Sequence, residues 1–156
     1  HRDFSDSNNF PTASQQSGDL LSADVMSDLR FGALHWTARA GFDQNQAVFD
    51  YYSYKRYSID MAFPYAFALP VFGTPHQFVI APTIGFSWAN YDAPNPIVDP
   101  VTVRNDTEQR YGAIFDAQVY KNVGVRTQVQ YIRIDSSLPN YATDNLSVSI
   151  GPTARF

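Results

Sequence analysis

The chain has 156 residues, of which 17% are charged and 15% aromatic, with no cysteine and a formal net charge of -4. The missing cysteines exclude a disulfide framework and thiolate metal sites, and the lack of a basic cluster excludes the electrostatic footprint of a nucleic-acid binder. A mean hydropathy of -0.29 fits either a soluble all-β protein or a membrane β-barrel, in which the polar half masks the apolar half in any average.

In chain order, residues 1–18 are polar and lack an alternating pattern. Seven segments with a period of two follow, the signature of strands with one apolar face. In LLSADVMSDLRF, Leu21, Ala23, Val25, Leu29 and Phe31 oppose Ser22, Asp24, Asp28 and Arg30. In LHWTARAGFD, Leu34, Trp36, Ala38, Ala40 and Phe42 oppose His35, Thr37, Arg39 and Asp43. In YKRYSIDMAFPYAF, Tyr57, Ile59, Met61, Phe63, Tyr65 and Phe67 face away from Arg56, Ser58 and Asp60. The remaining apolar rows are Phe78 to Trp88, Tyr111 to Val119, Val123 to Tyr131 and Leu146 to Phe156.

Each segment runs about 10 to 15 residues, longer than the 5 to 6 typical of soluble domains and long enough for a tilted strand to cross a hydrocarbon core. Compact links at Phe31-Gly32-Ala33, Leu69 to His76 and Lys121-Asn122 alternate with longer polar links beginning at Asp43, Asn90 and Asp135. Outer-membrane barrels alternate short periplasmic turns with long outer loops. The expected architecture is therefore all-β, an antiparallel up-and-down transmembrane β-barrel. On this reading residues 1–18 form an extracellular polar segment, and residues 19–156 the C-terminal part of a barrel with about seven long strands. A complete bacterial barrel has an even strand number with both ends in the periplasm, so remaining N-terminal strands of the same protein are expected as partners. No signal segment opens the chain, so a signal is expected to have been cleaved or the chain to start late.

The ending DNLSVSIGPTARF resembles the C-terminal assembly signal of bacterial outer-membrane β-barrels, with Ser149, Gly151, Ala154 and Phe156 at its polar, glycine, hydrophobic and terminal aromatic positions. The stretch from Tyr111 to Phe156 is similar to the last three strands of porin-like and tetratricopeptide-linked barrels of proteobacteria, including the surface lipoprotein assembly modifier group. The resemblance implies a Gram-negative outer membrane, with lipid and the barrel assembly machinery as partners.

With apolar faces toward lipid, the lumen-facing residues are Asp24, Asp28, Arg39, Arg56, Asp60, Asp116, Arg126, Gln128 and Gln130, whose charges either pair across strands or line an aqueous path. Tyr57, Trp88, Tyr111, Tyr120 and Tyr131 are the interface aromatics, with rings in the acyl boundary and polar tips among headgroups. His35 lies on the polar face, where Ser22 and Asp24 are the conceivable members of a hydrolytic triad. No nucleophile motif accompanies it, and the expectation is no catalysis. The loop acids Asp92, Asp99, Asp106 and Glu108 are hard oxygen donors but lack EF-hand spacing, so no metal or cofactor is expected. The expected function is transport through a porin-like or export conduit. A non-conducting outer-membrane anchor or surface-assembly scaffold is one alternative, and a soluble secreted β-sandwich or lipocalin-like binder with its apolar faces turned inward is another.

Overall fold

The structure, a computed structural model, describes residues 1–7, 13–31, 34–120 and 122–154. It is all-β, with eight strands: β1 (Gly18–Phe31), β2 (Leu34–Ala47), β3 (Tyr54–Ala62), β4 (Tyr65–Val71), β5 (Thr74–Pro94), β6 (Val103–Tyr120), β7 (Val123–Ser136) and β8 (Thr143–Ala154). Every pairing is antiparallel, and the sheet runs in the order β1-β2-β3-β5-β6-β7-β8, with β4 also on β5. The order ends at β1 and β8 and does not close on itself.

The eight strands make seven traverses, because β3 and β4 are one strand interrupted. Ala62 pairs with Thr83 and Tyr65 with Ile80, a register that continues without a slip across Phe63-Pro64. Pro64 has no N–H to give the ladder, while the Phe63 N–H still reaches the Pro82 carbonyl at 3.0 Å. The alternation is therefore carried through the break, and Tyr65 and Phe67 stay on the face of Tyr57, Ile59 and Met61.

The strands also run past their apolar stretches. β2 continues to Ala47, β5 to Pro94 and β7 to Ser136, so residues expected in long links extend the ladder instead. Leu69 to His76 is likewise strand rather than link: only Phe72-Gly73 turns, with φ of 51° and 81°. Two central residues with positive φ make the I′ geometry that matches strand twist, and here it holds a phenylalanine in a conformation L-residues disfavour. The longer connections carry 3-10 turns at Asp50–Tyr52 and Pro139–Tyr141. They lie at one end of the sheet, together with Ala13–Gln16 and an N-terminal segment held by reciprocal Arg2–Gly18 backbone bonds of 2.8 and 2.9 Å.

Among the described residues the only buried apolar side chain is Leu138, in the β7–β8 connection. The buried polar side chains are Asn45, Ser53 and Ser87. Val25 is 75% exposed and Ile150 74%, an inversion of the ordinary pattern. The chain exposes 10763 Å², whereas a compact soluble protein of 17.5 kDa is expected to expose about 7,900 Å².

Candidate functional site

The register separates two faces. All nine residues Asp24, Asp28, Arg39, Arg56, Asp60, Asp116, Arg126, Gln128 and Gln130 fall on one of them. That face is concave: a cavity of about 340 Å³ is lined from Met26 on β1 through Arg39, Asp60, Gly85 and Arg110 to Gln128 on β7. A neighbouring one of about 330 Å³ is lined by Asp24, Asp43, Arg56, Ser58 and Ser87 among others.

The charges in this trough are paired. Arg39 Nη2 donates to Asp24 at 3.0 Å, Arg56 to Asp43 at 2.6 Å, and Arg126 Nε to Asp116 at 2.7 Å. Arg110 donates to Asp60 at 2.7 Å and also to Glu108. Asp60 and Arg110 are not on adjacent strands; Gly85 of β5 stands between them. A Cβ there would collide with Asp60 Oδ1 and come within 2.9 Å of Arg110 Nε, so only glycine leaves the gap through which the pair meets. Asp43, Glu108 and Arg110 belong to the network although the expected set omits them; extending the period of two upstream from Tyr111 would have placed Glu108 and Arg110 on this face.

His35 does not enter a triad. Its Nε2 meets Asp28 Oδ2 at 2.9 Å, while Ser22 pairs with Asp43 eight residues along β1 from Arg30, the partner of His35, about 26 Å away at strand rise. The loop acids stay separate as well. Asp99 accepts the Val101 and Thr102 N–H groups at 2.8 and 3.1 Å, which holds its carboxyl below the usual range. Asp106 is taken by Arg104 and Glu108 by Arg110, and no metal-binding cluster occurs among the described residues.

At the long-loop end the trough opens into a mouth that periodicity could not show. The Arg104 guanidinium lies between the rings of Tyr91 and Tyr141, 4.5 and 3.7 Å from their centroids, and its Nε donates to Asp106 at 2.8 Å. Tyr54 packs on Tyr91 at 5.5 Å. Burial raises the Tyr91 phenol above its ordinary range.

The opposite face is convex and apolar. Its continuous apolar row ends toward the long-loop end at Leu21 on β1, Phe42 on β2, Tyr57 on β3, Trp88 on β5, Tyr111 on β6, Tyr131 on β7 and Leu146 on β8. The next residue on that face is Asp19, Gln44, Lys55, Asn90, Gln109, Arg133 and Asp144 respectively. Four of the five expected interface aromatics are thus the rim of one band. Tyr120 sits at the other end, opposite Val123 beyond a register shift.

Followed through the pairing, the rim lies level with Asn90 of β5 at β1, with Trp88 at β2 and β3, and with Ile84 from β6 to β8. It falls six residues in two steps over the six pairings from β1 to β8, an average of one residue per strand. With a rise of about 3.3 Å per residue and a spacing of about 4.8 Å, the strands cross the band at about 35° from its normal.

Of the terminal residues, Ser149 and Gly151 lie on the polar face opposite Gln128 and Arg126, and Ala154 pairs with Val123 on the other. Phe156 lies outside the described residues. No protein family, no curated protein and no solved structure matches the chain.

Proposed function

We propose that the sheet is the wall of a transmembrane antiparallel β-barrel of a Gram-negative outer membrane, a porin-like or export conduit with the apolar convex face in lipid and the polar concave face around an aqueous lumen. The observation that carries this reading is the slanted apolar band with its aromatic rim. Strands of membrane barrels tilt by about 35–45° and present an outward apolar band about 25 Å tall, flanked by aromatics. The slant here corresponds to about 35°, and nine to eleven residues per strand at that tilt span about 22–27 Å. A soluble domain has no reason to align the polar boundaries of seven traverses along one oblique line, nor to leave its apolar side outward. β1 and β8 run in the same direction, so antiparallel closure calls for an odd number of further strands between them. Lipid and the assembly machinery are the partners this reading requires, the latter reading Ser149, Gly151, Ala154 and Phe156.

The test is single-channel conductance of the full-length protein in a planar bilayer, alongside its heat-modifiable migration in detergent. Stepwise conductance with heat-modifiability supports a conduit. Heat-modifiability without conductance points to a non-conducting anchor, in which the paired charges of the trough act as a plug. Solubility without detergent overturns the membrane reading.

A further inference from the structure

The charged side chains of the trough spend their hydrogen bonds on one another. At its mouth only part of the polar lining does so. A cavity of about 380 Å³ is lined by Arg2, Gln16, Asn45, Tyr52, Tyr54 and Tyr91, with Phe4 and Arg104 completing the wall. This lies within the roughly 300–1,000 Å³ of small-molecule sites. Asn45 is buried and spends its amide on the Tyr52 carbonyl at 2.9 Å. Arg104 is committed to Asp106 and its two tyrosines. By contrast, the Arg2 guanidinium, the Gln16 amide and the phenol oxygens of Tyr52, Tyr54 and Tyr91 have no hydrogen-bond partner among the described residues.

Their frame is nonetheless fixed. Arg2 is tied to Gly18 through both backbone groups, and the Phe4 N–H donates to Ser17 Oγ at 2.9 Å. Tyr52 is bracketed by its ring contact with Tyr51, whose hydroxyl donates to Gln15 at 2.5 Å. Tyr54 and Tyr91 are packed on each other. Unspent polar groups on a fixed frame around one cavity are the arrangement of a binding site.

We propose that this mouth cavity binds a hexuronate unit, a pyranose ring carrying one carboxylate. Three chemical features select that class. Tyrosine rings offer apolar faces for the C–H side of a flat ring, with polar edges beside them. Unpaired phenol and amide groups match several hydroxyls at once. One uncommitted guanidinium calls for one carboxylate, which it engages through parallel N–H donors, while a dianionic phosphate would meet only that single free cation. The site stands on the mouth's own geometry and does not depend on the chain spanning a membrane.

Titration calorimetry of the folded full-length chain tests it, with strand content verified by circular dichroism and with D-glucuronate, D-glucose and benzoate as probes. Glucuronate is expected to bind, with glucose weaker by about tenfold, the worth of one charge-assisted hydrogen bond. Arg2→Gln should bring glucuronate down to the affinity of glucose, and Tyr91→Ala should weaken both sugars. Arg30→Gln, at the short-turn end of β1 with its side chain 73% exposed, should change neither and serves as the control for folding. The proposal fails if glucuronate does not bind, if Arg2→Gln leaves its preference over glucose intact, or if benzoate binds as well as glucuronate. The last result would make the mouth a site for aromatic acids.

Discussion

Ile84 and Gly85 are neighbours on β5 and belong to opposite worlds. Ile84 sits in a row of Ala38, Met61, Tyr111, Tyr131 and Leu146 on the convex face; Gly85 makes room for an ion pair between Asp60 and Arg110 on the concave one. The two faces differ in what their chemistry lacks. The concave face satisfies its charges internally and needs only water. The convex face buries little of itself: its rings touch along the rows, as Phe42 does Tyr57 and Phe67 does Phe78, but its side chains are exposed or half-buried, and among the described residues only Leu138, in a connection, is a buried apolar side chain. Such a sheet has little apolar burial of its own to offset chain entropy on folding, and the proposed reading draws the stabilisation from lipid against the convex face.

The largest effect should come from charging that face. Ile84→Arg is expected to cost about 2–4 kcal/mol in lipid vesicles and Gln128→Arg, across the sheet, less than about 1 kcal/mol, measured by urea unfolding. Equal costs would erase the distinction between faces. Next is the gap that serves Asp60 and Arg110. Gly85→Val should cost about 1–3 kcal/mol by overpacking. Gly151→Ala, where an added Cβ meets nothing within 4 Å, should stay within about 0.5 kcal/mol of the parent. A loss of membrane assembly by Gly151→Ala at unchanged stability would mark it as part of an assembly signal.

Smaller still is the coupling of Arg56 with Asp43, whose side chains are 44% and 20% exposed. A double-mutant cycle with Arg56→Gln and Asp43→Asn should return about 0.5–1 kcal/mol. The smallest effect concerns the fully exposed N-terminal tie. Hydrogen bonds to Asp19 and then Asp3 raise the His1 imidazole above 6.5. A raised pKa means the tie is fully present below the ordinary value and is lost as pH climbs through the folded one. An NMR titration should find His1 above 6.5 and Asp19→Asn should bring it back toward that value.

The faces were legible in the sequence because side-chain direction along a strand has a period of two whatever the partner. Strand ends were less legible. Polar residues such as Gln44 to Gln46 keep the ladder though they break the apolar row, and Pro64 breaks the ladder without shifting the row. The slant of the band could not be read at all, since it exists only once register relates Leu21 to Asn90 and Leu146 to Ile84. The mouth was hidden for a related reason: Arg2, Gln16, Tyr52 and Arg104 meet across connections that carry no periodic signal.

The central claim, that the convex face meets lipid, has native reporters in the chain's two tryptophans, Trp36 and Trp88. Both lie on that face, near opposite edges of the band, and both stand exposed. Tryptophan emission of the protein reconstituted in bilayers of brominated lipid measures the contact directly. Strong quenching by bromines near the acyl-headgroup boundary, with little quenching by aqueous iodide, is the expected result. Emission that iodide quenches and brominated lipid leaves unchanged would contradict the account.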